Sequence, residues 1–220
     1  MFKGHCFPNE IILQAVYFKL RFSLSYRDVE ELLSTRGVEV DHATVQRWVY
    51  KFTPLIEVEF RKRKKLVTKS WRMDETYIKV KGEWMFLYRA VDKEGSTVDF
   101  LLTKRRNKLA AHKFLLKAIS NNGCPKVINI DKSEANKEAI RTYNRRCLKK
   151  IRIRQCKYLN NRVEGDHRFI KLRTQPMLGF KNFESASRTL SGIETVRMIK
   201  KQQLHFPLTS TYKSFCSLAA

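Results

Sequence analysis

The sequence lacks a long apolar stretch. No run approaches the roughly 18 residues that would mark a membrane helix, and no signal-peptide pattern opens it. A membrane partner is therefore not expected. It also lacks paired cysteines. Cys6, Cys124, Cys147, Cys156 and Cys216 are scattered and odd in number, with no C-x-x-C. That spacing argues against a zinc site and fits reduced thiols in a cytosolic protein. No internal repeat or low-complexity tract is apparent. Acid is scarce: 21 Asp and Glu stand against 45 Lys and Arg, a formal charge of +24. Self-repulsion of that size is tolerated when the partner is a polyanion, so nucleic acid is the leading partner. The 220 residues, 43% of them apolar, suffice for one large domain or a small one and a medium one.

The few acids are placed unusually. In Tyr158-Leu-Asn-Asn-Arg-Val-Glu164-Gly-Asp-His-Arg-Phe-Ile-Lys171, Glu164 lies among basic and polar residues on a predicted helix. Asn160 or Asn161 would cap its start. His167 and Arg168 follow Glu164 by three and four residues, and Lys171 by seven, so helical spacing puts them on its face. Taken alone this is a solvated helix with one acid among bases. Asp74, in Trp71-Arg-Met-Asp-Glu-Thr-Tyr-Ile-Lys-Val80, shares a strand face with Thr76, Ile78 and Val80, where an acid is costly without a cation. Asp131 ends the β-branched run Val127-Ile-Asn-Ile130. Three acids on two strands and a later helix, without a cysteine or histidine cluster, suit a hard, oxygen-loving cation such as Mg²⁺ or Mn²⁺.

Along the chain, residues 9 to 52 read as three helices. Ser25-Tyr-Arg-Asp28 has capping-box form and opens the second, and Arg36-Gly37 ends it. Asp41 caps the third, with Val40 and Val45 as a hydrophobic staple. Val45, Trp48 and Val49 face inward there. His42, Gln46, Arg47 and Lys51, with Thr44 and Tyr50, are left for solvent or DNA, a helix-turn-helix pattern whose last helix would enter a major groove. Arg61-Lys-Arg-Lys-Lys65 reads as a basic junction between domains, either a solvated linker or a phosphate contact beside the helix-turn-helix. Three strands follow between residues 71 and 103, joined by turns at Lys81-Gly82 and at Asp92 to Gly95. Then come a helix from Leu109 to Ser120, the Val127 strand parallel to the first, and a cationic strand from Ile151 to Lys157. From Arg145 to Arg173, eleven Lys and Arg accompany only Glu164 and Asp166. Phe183 to Gln203 reads as a core helix covering the sheet, and residues 205–220 as a poorly ordered tail.

Several of these stretches occur together in one known group. Trp71 to Gly82, Tyr88-Arg-Ala-Val-Asp92, Arg105-Arg-Asn107, Ile128-Asn-Ile-Asp-Lys132 and Lys157-Tyr-Leu-Asn-Asn161 through Glu164, Asp166 and His167 resemble the DDE transposases of bacterial insertion sequences, the insertion-sequence-six family in particular. The likeness runs from about Phe2 to Gln203. It implies an α/β fold in which an N-terminal helix-turn-helix, residues 1–60, is joined by a basic linker, 61–70, to a ribonuclease-H-like catalytic core, 71–204, a mixed sheet flanked by helices, with a tail at 205–220. It assigns Asp74, Asp131 and Glu164 as catalytic and metal-binding residues, with two Mg²⁺ or Mn²⁺ ions, and matches Lys171 to a basic residue seven after the Glu. Lys157, Arg168 and Lys171 join His42, Gln46, Arg47 and Lys51 as DNA contacts. It further implies terminal inverted repeats and target DNA as partners, cointegrates, a homo-oligomer on DNA, and a bacterial, nucleoid-associated cytoplasmic location. Thirty-two residues separate Asp131 from Glu164, somewhat short for the group, with the shortfall placed between Asn144 and Lys150. A nuclease that cuts without joining and a non-catalytic helix-turn-helix regulator are the alternatives; the three acids speak against the regulator. A fragment of residues 1–65 is expected to bind element ends by itself.

Overall fold

The computed structural model describes residue 2 and residues 4–147, 150–177 and 179–219, the side chain of Lys157 apart. In chain order the elements are α1 (Asn9–Arg21), α2 (Tyr26–Ser34), α3 (His42–Arg63), β1 (Ser70–Val80), β2 (Glu83–Asp92), β3 (Thr97–Thr103), α4 (Lys108–Asn122), β4 (Val127–Ile130), α5 (Glu134–Cys147), β5 (Arg152–Gln155), α6 (Lys157–Thr174), α7 (Phe183–Lys200) and α8 (Thr211–Cys216). They form two compact units. One is Leu66–Lys171; the other joins Met1–Lys65 to Leu172–Ala220.

The sheet unit has strand order β3-β2-β1-β4-β5. β1, β2 and β3 are antiparallel neighbours, and β4 and β5 run parallel to β1. This order, with α4 and α5 as crossovers, is ribonuclease-H-like. Lys81 and Gly82 both take positive φ, 51° and 82°, the geometry that a two-residue hairpin needs to match strand twist. One face of the sheet carries the core: Trp71, Met73 and Tyr88 pack with Phe114, Leu115, Ala139 and Ile140 of α4 and α5. Burying each large apolar side chain there contributes about 1.5–3 kcal/mol. The core fixes the alternation of β1, so its other face presents Arg72, Asp74 and Thr76. Asp92 closes β2 and opens the turn as expected, its carbonyl accepting from Gly95 N–H at 3.1 Å. It is 1% exposed, and its carboxylate accepts from the backbone N–H groups of Thr68, Glu94 and Ser96.

The helical unit begins as the sequence predicts. Ser25 and Asp28 form a reciprocal capping box, and the Asp41 carboxylate accepts from Ala43 N–H. Val40 and Val45 are both buried. Four expectations fail. Arg61 to Arg63 are the last turn of α3, not a linker. The tail is ordered: α8 is capped by Ser210 and buries Phe215, with Leu218 beyond it. The Ile151–Lys157 strand is shorter, and α6 starts at Lys157. Finally, α7 belongs to the helical unit and not to the sheet unit, and packs against α1 and α3. Two details explain that packing. A Cβ at Gly192 would lie 2.5 Å from Leu20 Cδ2 and 2.7 Å from Thr53 Cγ2, so only glycine admits the close approach. Pro54 sits inside α3 and cannot donate to the carbonyl of Tyr50; Arg188 Nη1 of α7 donates to that oxygen at 2.9 Å instead, with its guanidinium 3.7 Å over the Tyr50 ring. The supposed shortfall between Asn144 and Lys150 falls partly on residues 148 and 149, outside the described residues.

Candidate active site

The site is built on β1 and β4. In their parallel register Trp71 faces Ile128 and Arg72 faces Asn129. Asp74 lies two residues beyond Arg72, and Asp131, the residue after β4 ends, two beyond Asn129, so alternation carries the two acids to one face at neighbouring positions. Neighbouring strands are about 4.8 Å apart. Asp131 Oδ1 accepts from Ser133 N–H at 2.9 Å, a short turn that leads into α5. Helix α6 crosses this face and carries Glu164, which is exposed.

Electrostatics couple the three acids. The Asp74 carboxyl is pushed up to about 7, first by burial and then by the charges of Glu75, Asp131 and Glu164, against a hydrogen bond from Glu75 N–H that lowers it. Among the described residues the group of three ligand-type side chains whose atoms all lie within 4.8 Å is Glu30, Asp41 and His42 in the helical unit; the three acids of the sheet unit are spaced more widely than that. His167 Nδ1 is 3.6 Å from Asp74 Oδ2, beyond hydrogen-bonding range. Burial, with Arg89 beside it, holds the imidazole down to about 3, so near neutral pH it meets Asp74 as a neutral ring. The donor set is carboxylate oxygen throughout, which fits hard divalent cations. A cation there would relieve the strain that the neighbouring acids place on Asp74.

Residues 68–203 match a family model described as a DDE domain. The transposase for insertion sequence-like element IS431mec of Staphylococcus aureus (strain Mu50) is 38% identical over 206 residues, 91% of this chain and 89% of the relative. The transposase for insertion sequence element IS257 in transposon Tn4003 of Staphylococcus aureus shows the same identity and coverage. The chain belongs to the DDE transposases of the insertion-sequence-six family. By class this transposase is a polynucleotidyl transferase. Among solved structures, the HTLV-2 integrase catalytic core domain in complex with magnesium is similar over 61% of this chain and 88% of that one, at 23% identity and a TM-score of 0.45. Likeness at that level adds nothing to the topology described above.

The remaining candidate residues of the transposase fall into two groups. In the sheet unit, Arg168 and Lys171 are exposed on α6, while the Lys157 side chain lies outside the described residues. In the helical unit, Gln46 and Arg47 are exposed on α3, and Lys51 is exposed with Nζ 2.9 Å from His5 Nε2. His42 is different. Its Nδ1 lies 3.0 Å from Glu30 Oε2 and 3.1 Å from Asp41 Oδ1, so it ties the start of α3 to α2 while its ring stays part exposed.

Two expectations about α6 need correction. Asn160 does not cap the helix; it sits inside it, 2% exposed, and accepts from Asn129 Nδ2 at 2.6 Å. His167 does not share the open face of Glu164 but is 6% exposed. Asp166 is equally buried and pairs with Arg89. On the opposite face of the sheet, Glu75 accepts from Asn136 Nδ2 at 3.1 Å and is ion-paired with Arg106. Sequence reasoning passed over these groups because each needs a partner distant in sequence. The one available signal was alternation, which puts Asn129 on the face of Asp131.

Proposed function

We propose that this transposase binds the terminal inverted repeats of its insertion sequence, cuts at the element end to expose a 3′-OH, and joins that 3′-OH to target DNA, moving through cointegrates as a homo-oligomer on bacterial nucleoid DNA. The observation that carries the reading is the parallel register of β1 and β4, which brings Asp74 and Asp131, just past the end of β4, to one face, with α6, the helix bearing Glu164, bonded to that face. Asp74, Asp131 and Glu164 are the residues that would hold two Mg²⁺ or Mn²⁺ ions. When bound, such a pair supplies activation of the entering oxygen and stabilisation of the leaving one.

The chain's own residues do the rest. Both steps are in-line displacements at phosphorus. In the first, water oxygen bonds to phosphorus and the P–O3′ bond breaks. In the second, the freed 3′-OH bonds to a target phosphorus and one target P–O3′ bond breaks. Neither needs a covalent enzyme intermediate. Arg168 and Lys171 are exposed on the same helix as Glu164 and would hold flanking phosphates; Lys171 lies two turns, roughly 10 Å, beyond the acid. Gln46, Arg47 and Lys51 on α3 would contact the element end, with bases read from the major groove. The net charge of +24 supports the polyanionic partner.

The test is strand transfer in Mg²⁺ by Asp74→Asn, Asp131→Asn and Glu164→Gln, with gel-shift binding to element ends alongside. Each single change should lower cleavage and joining on the order of a thousandfold or more. Combining them should add little, because the three act as a unit. End binding should persist. A variant that joins DNA at near wild-type rate removes that residue from the site.

A further inference from the structure

Glu164 projects from the outward side of α6, so its position is set by how that helix is rotated and where it sits along the sheet. The buried underside of α6 is Asn160, Val163, Asp166, His167 and Ile170, at 2%, 0%, 6%, 6% and 0% exposure. A helix laid on a sheet by packing alone presents an apolar stripe there. Apolar contact is non-directional and tolerates small slides and rotations. Here three of the five positions are polar, and two of those make directional bonds to the sheet.

The Asp166 carboxylate accepts from Arg89 Nη2 at 3.2 Å, and the arginine is fully buried. Arg89 is the residue of β2 that stands opposite Asp74 in the antiparallel register. Asn160 Oδ1 accepts from Asn129 Nδ2 at 2.6 Å, and Asn129 lies on β4 two residues before Asp131. Each anchor on the sheet thus adjoins one of the two aspartates, and the anchors on the helix flank Glu164, four residues before it and two after. As a source of stability such a pair is a poor choice. Desolvating two charges roughly cancels their attraction, and an apolar pair of similar volume does as well or better. What a buried ion pair adds is geometry.

We propose that Arg89 and Asp166 are positioning residues for strand transfer: their buried ion pair, with the Asn129–Asn160 hydrogen bond, fixes the rotation and axial position of α6 and so sets where Glu164 meets Asp74 and Asp131. The inference rests on the reading of those three acids as the metal site. It gives Asp166, which touches neither DNA nor metal in this scheme, a large effect on activity.

The experiment compares full-length Asp166→Leu, Arg89→Met and the double variant with wild type. Four quantities are measured: thermal midpoint, gel-shift binding to element ends, Mn²⁺ affinity without DNA from the electron paramagnetic resonance signal of free Mn²⁺, and strand transfer of pre-cut ends well below the midpoint. Each single variant strands one buried charge and should melt early. The double variant removes both charges and should melt near wild type. If the pair positions α6, the double variant still binds Mn²⁺ at least about tenfold more weakly and transfers strands about a hundredfold more slowly, the range seen when groups that orient metal ligands are lost, while end binding holds. If the double variant recovers Mn²⁺ affinity and transfer together with its melting midpoint, the pair serves stability alone and the proposal is overturned. Should the double variant not fold, Asp166→Ala removes the carboxylate and any bond to Arg89; wild-type Mn²⁺ affinity and transfer in that protein, measured below its own melting midpoint, overturn it equally. Glu164→Gln is run beside them. Undiminished transfer by Glu164→Gln defeats the triad reading itself, whereas a dead Glu164→Gln beside a fully active double variant defeats only the positioning role.

Discussion

The two units of this transposase differ in how their sequence is spent. The sheet unit is one continuous stretch, whereas the helical unit joins the first 65 residues to the last 49. Both are basic, with 26 Lys and Arg against 11 Asp and Glu in residues 66–171 and 19 against 10 in the remainder, so charge alone does not assign them different partners. Placement does. In the sheet unit, Asp74 stands against other acids, and Asp92, Asp99 and Asp166 are almost fully buried. In the helical unit Glu194 is buried too, but Asp28 and Asp41 cap helices, and Glu59 and Glu184 pair with Lys62 and Arg188 one turn away. An acid that stands against other acids marks the chemistry; acids that cap helices or pair with a cation one turn away mark a scaffold. The scaffold's own stability then rests on the joint between its two distant segments.

The sharpest way to break this comparison is to cut the joint. A fragment of residues 1–65 keeps α1, α2 and α3 but loses α7, which closes over Leu20, Thr53 and Tyr50. The fragment should show no cooperative thermal transition and should not bind element ends with full-length affinity, contrary to what its sequence implies. Circular dichroism and gel shift measure both. A sharp transition in the fragment would make the helical unit continuous after all.

The next effect is local to the joint. Gly192→Val places three carbons where Leu20 Cδ2 and Thr53 Cγ2 already lie within 2.7 Å of a single Cβ. Overpacking of this kind should lower stability by about 3 kcal/mol. Better helix propensity offsets only a few tenths, because valine is itself a weak helix former. Denaturant unfolding of the full chain reads the loss. A neutral result would mean that α7 can back away from α1 and α3.

A pH effect of smaller size belongs to the same unit. Lys19 is 4% exposed, donates to Leu24 O at 2.6 Å and lies 4.5 Å from the Tyr26 ring centre. Burial pushes its ammonium down to about 8, partly countered by Asp28. The folded chain therefore releases this proton before the unfolded chain does. Between about pH 8 and the ordinary lysine value the unfolded state binds more protons, so stability contributed by this residue rises with pH. The penalty of a charged Lys19 is complete below pH 8. The stability of wild type minus that of Lys19→Met should accordingly climb by on the order of 2 kcal/mol from pH 8 to pH 9.5. A flat difference would mean that Lys19 keeps its proton with no cost from burial.

Legibility in the sequence follows the same division. The sheet order, the hairpin at Lys81-Gly82 and the faces of Asp74 and Asp131 follow from period-two alternation and short turns, which are local signals. So do the caps at Ser25 and Asp41. What stayed hidden depends on partners far apart in the chain. Spacing puts Asp166 off the face of Glu164, but its partner Arg89, 77 residues earlier, leaves no local signal. Asn160 reads as a cap until Asn129 claims its side chain. Phe183 to Lys200 reads as a helix for the sheet because apolar spacing says that a face is buried but not against what. Its one distinguishing mark was Gly192, a residue that helices avoid unless another element must come close.

The smallest effect tests whether Arg188 joins α7 to α3 through the gap that Pro54 leaves. Proline removes the N–H that would reach the Tyr50 carbonyl, and Arg188 Nη1 supplies the missing donor at 2.9 Å while its plane stacks on the Tyr50 ring. Arg188 also pairs with Glu184, but that contact is exposed and contributes little. Arg188→Met keeps the length and the apolar stem and should cost about 1 kcal/mol, with strand transfer in the sheet unit unchanged at temperatures where the chain is folded. Pro54→Ala restores a helical donor to the same carbonyl. In that background Arg188→Met should cost measurably less, because the oxygen it abandons is already paired. A double-mutant cycle by denaturant unfolding gives the difference directly. Equal losses in the two backgrounds would show that stacking on Tyr50, and not the orphaned carbonyl, is what Arg188 supplies.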